Sequence, residues 1–163
     1  MKNNQNKIVS HKRAIYSGTF DPITVGHLDI IKRALNIFDE VIIAVAISES
    51  KKPMFGLDKR VEFVKAATKD LEGVVIKPFD TLLVELATSM DINTIIRGLR
   101  AVSDFEFELQ MGYANASINS KIETVYLMPT LENAFVSSTI VREIIKFEGK
   151  FEHLVPKEML KCI

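Results

Sequence analysis

The chain reads as an α/β domain of the doubly wound class, a five-stranded parallel sheet with helices on both faces. Short β-branched runs at residues 14–17, 40–47, 74–76, 93–97 and 123–128 alternate with longer stretches whose apolar residues recur at helical spacing. The second run, Glu-Val-Ile-Ile-Ala-Val-Ala-Ile, is apolar without alternation, as a central parallel strand covered on both faces requires. Ligands in this class lie beyond the carboxyl ends of the strands, so the loops that follow strands are where function is sought.

Residues 1–13 read as a flexible polar leader carrying Lys2, Lys7, Lys12 and Arg13, with no apolar core of a secretory signal. A single domain is expected from 14 to 163. After the first strand, Leu28, Ile30, Ile31, Ala34, Leu35 and Phe38 predict a helix over 26–38 that lays one stripe on the sheet. The strand at 40–47 opens into a polar loop at Ser48. Over 57–71, Leu57, Val61, Val64 and Ala67 or Thr68 form the buried face, with Lys59 and Arg60 opposite. A strand at 74–76, a turn at 77–80 around Pro78 and a helix over 81–90 follow. The strand at 93–97 runs directly into Gly98-Leu99-Arg100. Phe105, Leu109, Tyr113 and Ala116 mark one stripe of a helix over 103–118, and the last strand ends before Pro129. Two closing helices, 138–147 and 156–162, are separated by Gly149. Met90, Met111 and Met128 are expected as core filler.

Composition narrows the function classes. Apolar residues make up 47% and charged residues 26%, and no apolar run approaches the roughly 18 residues of a membrane span. A cytoplasmic protein is expected. Lys plus Arg equals Asp plus Glu at 21 each, so no global positive field recruits nucleic acid. The single cysteine, Cys162, forms neither an intrachain disulfide nor a zinc site by itself.

The first loop carries most of the chemistry. In Gly18-Thr19-Phe20-Asp21-Pro22-Ile23-Thr24-Val25-Gly26-His27, Gly18 allows close approach of backbone to a ligand, Pro22 stiffens the loop, and His27 stands in the first turn of a helix. Helix N-termini attract phosphate. A glycine-proline turn with a capping histidine would account for the same residues. Lys51 and Lys52 lie in the loop after the second strand, where a solvated loop is the plain alternative. Arg97 and Arg100 bracket Gly98 at the exit of the fourth strand; an arginine beside an apolar run is costly without an anionic partner. Ser137, Ser138 and Thr139 open a helix, where hydroxyls cap and bind phosphate with the same donors.

Thr24-x-Gly26-His27 resembles the T/H-x-G-H signature of the nucleotidyltransferase superfamily. Tyr16-x-Gly18-Thr19-Phe20-Asp21-Pro22 resembles its form in the bacterial phosphopantetheine adenylyltransferases. The likeness continues through Ser50-Lys51-Lys52-Pro53-Met54-Phe55, Ile96-Arg97-Gly98-Leu99-Arg100-Ala101-Val102-x-Asp104-Phe105-Glu106, Leu127-Met128-Pro129 and Val136-Ser137-Ser138-Thr139, in that order. It departs at Ser17, where proline is usual, at Thr139 for serine, and at Asn133, where an aromatic is usual and no ring is present to stack.

The resemblance implies a Rossmann-like fold and transfer of AMP from ATP to 4'-phosphopantetheine, giving dephospho-CoA and pyrophosphate. It assigns His27, Lys51 and Arg97 to catalysis, and Thr19, Lys51, Leu83 and Arg97 to the acceptor. Thr19, Phe20, His27, Gly98, Leu99, Arg100, Glu108, Ser137, Ser138 and Thr139 go to ATP, with Lys52 left facing solvent. It further implies Mg²⁺ held mainly by the ATP phosphates, a homohexamer, and coenzyme A as feedback inhibitor. The acceptor phosphate is already anionic, so positioning and charge neutralisation suit this reaction better than a protein nucleophile. Another acceptor such as nicotinamide mononucleotide, cytidylyl transfer to a small alcohol phosphate, and a non-catalytic nucleotide-binding module are the competing readings.

Overall fold

The computed structural model describes residues 11–47, 52–100 and 102–163, with the backbone alone for 102–104. Strand β1 (Arg13–Gly18) leads through α1 (Val25–Leu35) to β2 (Glu40–Ala46), and α2 (Leu57–Thr68) to β3 (Val74–Phe79). The chain then forms α3 (Leu83–Ser89), β4 (Thr94–Gly98), α4 (Val102–Ile118), β5 (Glu123–Leu127) and α5 (Ser138–Lys146). Short 3₁₀ turns occupy Leu131–Asn133, Glu152–Leu154 and Met159–Cys162.

Every strand pair is parallel, and the order across the sheet is β3-β2-β1-β4-β5. The chain moves outward from β1 to β3, then crosses back to β4 and moves outward on the other side. Strand order therefore reverses between β1 and β4, and a crevice opens at their carboxyl ends. Those ends are Gly18 and Gly98.

Side-chain alternation divides the core. Ala14 and Tyr16 of β1, with Val41, Ile43 and Val45 of β2, pack with Ile30, Ile31 and Ala34 of α1, Phe63 and Val64 of α2, and Val141 of α5. Ile15, Ile42, Ala44 and Ile95 point to the other face and meet Val84, Leu86 and Ala87 of α3. The unbroken apolar run of β2 is needed because both its faces are covered. Among the described residues no helix is long and apolar enough to cross a membrane.

Several details depart from the sequence-based expectations. Strand β3 extends through Lys77, Pro78 and Phe79, which pair with Ala44, Val45 and Ala46. A proline fits there because β3 is the edge of the sheet, where one missing N–H leaves no neighbour unpaired. Residues 156–162 form no α-helix; Leu154, Val155 and Met159 pin this segment into the core and leave a single 3₁₀ turn. Met111 and Met128 are 42% and 72% exposed, so neither fills the core. Arg60, expected on the outer face of α2, is 2% exposed. Lys12 is bonded to Asp39 and Glu40, and Arg13 already belongs to β1.

Helix α4 inverts the expected stripe. Among its described side chains Glu108 and Asn115 are buried, while Phe105, Phe107, Met111, Tyr113 and Ile118 are exposed. Among the described residues α4 thus turns polar side chains inward and leaves much of its apolar face uncovered.

Candidate active site

The loop after β1 is shaped by its own residues. Thr24 caps α1: its hydroxyl accepts from the His27 N–H at 3.3 Å. The Thr24 N–H in turn donates to His27 Nδ1 at 3.1 Å, and the Thr24 hydroxyl stands 2.9 Å from the same nitrogen. Because Nδ1 accepts from a backbone N–H, the neutral ring carries its proton on Nε2. Burial, followed by the charges of Arg100 and Arg97, lowers the His27 pKa to about 4. Phe20 packs edge-on against His27 with ring centroids 5.1 Å apart, and against Tyr16 at 5.7 Å. At Gly26 any Cβ would stand 3.4 Å from the carbonyl oxygens of Asn133 and Val136, so this glycine lets the segment before α5 close onto α1.

That segment is tied down elsewhere too. Thr130 N–H donates to the Asp29 carboxylate at 2.7 Å, and the Asn133 amide to the Thr130 hydroxyl at 2.9 Å. Asn133 thus anchors a loop where the related proteins are expected to carry a ring. Ser137 caps α5 by accepting from Ile140 N–H, and the Ser138 hydroxyl donates to Pro22 O at 2.8 Å. The α5 N-terminus is thereby bonded to the loop after β1.

Arg97, at the exit of β4, is held from two sides. Its Nε and Nη2 donate to the two carboxylate oxygens of Glu108 at 2.6 and 2.5 Å, and Nη1 donates to the carbonyl and hydroxyl oxygens of Ser17 at 3.1 Å each. Ser17, one of the departures from the usual pattern, supplies an acceptor that proline lacks. Burial opposes the Arg97 charge, but the Glu108 ion pair outweighs it and the pKa is raised.

Three cavities run along the carboxyl ends of β1 and β4. The first, a polar cleft of about 390 Å³, is bordered by Thr19, His27, Lys52, Arg100, Arg142 and the hydroxyl run of Ser137, Ser138 and Thr139. The second, about 140 Å³, shares His27 and Arg100 with it and adds Tyr16, Gly98 and Pro129. The third is an apolar groove of about 270 Å³ between α3 and α4, lined by Leu82, Leu83, Phe107 and Met111. Ser17, Arg97 and Glu108 border both the second and the third.

Most of the residues singled out in the sequence therefore converge. Thr19, Phe20, His27, Arg100, Ser137, Ser138 and Thr139 meet at the polar cleft, Gly98 with Arg97 and Glu108 at the middle pocket, and Leu83 in the groove. Leu99 borders none of the three; its N–H is bonded to Leu127 O. Lys51 lies outside the described residues. Lys52, expected to face solvent, is exposed yet stands at the rim of the polar cleft. Arg142 was missed. It lies one turn beyond the hydroxyl run, donating to Asp21 O at 2.7 Å and to the Thr139 hydroxyl at 3.1 Å; its spacing from Ser138, i to i+4, was the available signal.

The donor set suits phosphate. Cations and hydroxyls border the polar cleft, while the Asp21 carboxylate is engaged by the N–H groups of Met54 and Phe55 at 2.8 and 2.9 Å. Among the described residues no group of three or more His, Cys, Asp or Glu side chains is placed to hold a metal ion.

Comparison with known proteins assigns the family. Residues 15–144 match the model of a family described as cytidylyltransferase-like. A phosphopantetheine adenylyltransferase of Campylobacter hominis is 64% identical over 146 residues, spanning 90% of this chain and 92% of that protein. The chain belongs to the phosphopantetheine adenylyltransferase family. Further members are the phosphopantetheine adenylyltransferases of Nautilia profundicola, 58% identical over 93% of this chain and 98% of that one, and of Helicobacter hepaticus, 61% identical over 88% and 87%. A solved Vibrio parahaemolyticus protein described as a nicotinate-nucleotide adenylyltransferase superposes with a TM-score of 0.68 at 19% identity, covering 93% of this chain and 90% of its own. At that identity the likeness shows a shared fold alone.

Proposed function

We propose that the row of cavities holds ATP at the polar end and 4'-phosphopantetheine at the apolar end, and that AMP passes between them by in-line displacement. Membership of the family makes the chain a nucleotidyltransferase of coenzyme A biosynthesis, forming dephospho-CoA. The observation that carries the placement is continuity: each cavity shares residues with the next, and the Arg97–Glu108 pair borders both the middle pocket and the apolar groove.

An oxygen of the acceptor phosphate forms a bond to the α-phosphorus as the bond from that phosphorus to the bridging oxygen breaks, and the electron pair leaves with pyrophosphate. Negative charge builds on the α-phosphoryl oxygens and the leaving group. His27 donates from Nε2, its tautomer fixed by the Thr24 N–H, and a neutral donor stays in place without a proton change at neutral pH. Arg100, Arg142, Lys52 and the α5 N-terminus add positive potential around the nucleotide phosphates. Thr19 orients the acceptor phosphate, Arg97 and Lys51 hold it, and Leu83 lines the groove for the pantetheine arm. Mg²⁺ would neutralise phosphate charge; with Asp21 engaged by the Met54 and Phe55 amides and no acidic cluster among the described residues, it would be held mainly by the nucleotide. Assembly as a homohexamer, inhibition by coenzyme A and a cytoplasmic location complete the reading.

The test is direct: the protein mixed with ATP, Mg²⁺ and 4'-phosphopantetheine should release pyrophosphate and form dephospho-CoA. Turnover with nicotinamide mononucleotide, or with CTP and an alcohol phosphate, in its place would overturn the substrate assignment. ATP binding with no pyrophosphate from any acceptor would make the site a sensor.

A further inference from the structure

Among the described residues Arg60 is the largest fully buried polar side chain, and it borders none of the three cavities. Its Nε donates to Phe55 O at 3.0 Å, and its Nη1 to Thr19 O at 2.7 Å and Ala46 O at 2.8 Å. Those carbonyls belong to the loop after β1, the last residue of β2 and the residues just before α2. One guanidinium from α2 therefore gathers the chain at the carboxyl ends of β1 and β2. Asp21 works from the opposite side, its carboxylate accepting from Met54 and Phe55 N–H. Between these anchors lies Phe20, at φ 48°, a left-handed conformation that a bulky residue keeps only when its surroundings hold it.

We propose that Arg60, seconded by Asp21, is a positioning residue of the site: it sets the backbone of Thr19 and the chain following Lys52, and so fixes where the acceptor phosphate is received. Its role is exerted through Thr19, which stands at the cleft, and not by contact with substrate. A planar fork with five donors meets carbonyls in three directions; a lysine ammonium on a flexible stem cannot hold all three in place. The kinetic part of this inference rests on the adenylyl-transfer reading, whereas the backbone part does not.

Both parts are tested on the full chain with Arg60→Lys and, should that variant fail to fold, Asp21→Asn. Hydrogen exchange of the Met54 and Phe55 amides should quicken about tenfold or more while the β1 and α1 amides stay as in the parent, since local opening follows the loss of local anchors. In Arg60→Lys turnover should fall on the order of 10- to 100-fold with ATP affinity unchanged, the scale expected of a small misplacement. Combined with Thr19→Val, Arg60→Lys should add little further loss, because residues acting through one contact are not additive. Unchanged exchange, exchange raised evenly through the core, or losses that multiply independently would each overturn the proposal. A parent protein that releases no pyrophosphate refutes the adenylyl-transfer reading instead, and the exchange result alone then decides whether Arg60 holds the loop.

Discussion

His27 is the residue on which most of the chemistry turns. Its Nε2–H is presented to the cleft by the Thr24 backbone, and removing such a donor costs on the order of 10²- to 10³-fold in turnover. His27→Ala should show that loss in a pyrophosphate-release assay while circular dichroism reports an intact fold. The same residue gives a pH signature in the ligand-free protein. Its pKa is about 4 when folded against an ordinary 6.5, so between those values the unfolded chain takes up a proton that the folded chain refuses. Stability from this source is fully present above pH 6.5 and drains away as pH falls toward 4. Thermal midpoints across that window should fall more steeply for the parent than for His27→Gln; parallel profiles would refute the shift. Arg97 behaves differently, because its charge is balanced within the protein. Removing the partner in Glu108→Ala should destabilise by about 2 kcal/mol in urea unfolding, less than the 3–5 kcal/mol typical of a fully buried pair, since Arg97 keeps 28% side-chain exposure.

At the scale of elements, the start of α1 joins folding to function. Thr24→Ala removes the cap, worth about 1 kcal/mol of stability, and removes the hydroxyl beside His27 Nδ1. The expected result is a modest drop in thermal midpoint with a smaller loss of turnover than in His27→Ala, because the backbone N–H that fixes His27 Nδ1 is kept. Helix α4 is the element whose sequence misleads. Its Phe105-Leu109-Tyr113-Ala116 spacing reads as a buried stripe, yet Tyr113 is 70% exposed and Glu108 lies inside. Periodicity locates an apolar face but not the object that covers it, and here the inner side of the helix walls the site. Arg60 misled in the opposite direction: charge predicts exposure, and only the three carbonyls converging from distant loops make burial affordable.

Across the whole molecule, the exposed apolar residues of α4, with Met128, Leu131 and Phe135 exposed as well, offer apolar side chains that an assembly of copies would cover. Light scattering should return the mass of a hexamer, and Tyr113→Glu on that face should shift it toward smaller species without unfolding the chain. A monomeric parent protein would sink the assembly reading.

The alternation of the five strands with α1 to α5, the core strand β2 and a helix holding His27 in its first turn were legible in the sequence as local patterns of residue type, and the motif resemblance singled out the candidate cluster of Thr19, His27, Arg97, Arg100 and Ser137 to Thr139. What local pattern could not supply was partnership across the chain. Tertiary structure alone decided that Arg97 is paired with Glu108 and Ser17, that Arg60 is buried against three carbonyls, that Arg142 reaches Asp21, and that α4 turns its polar side inward. Each of these depends on groups brought together from distant positions, and the energy of burying a charge depends on what it meets there rather than on its neighbours in sequence.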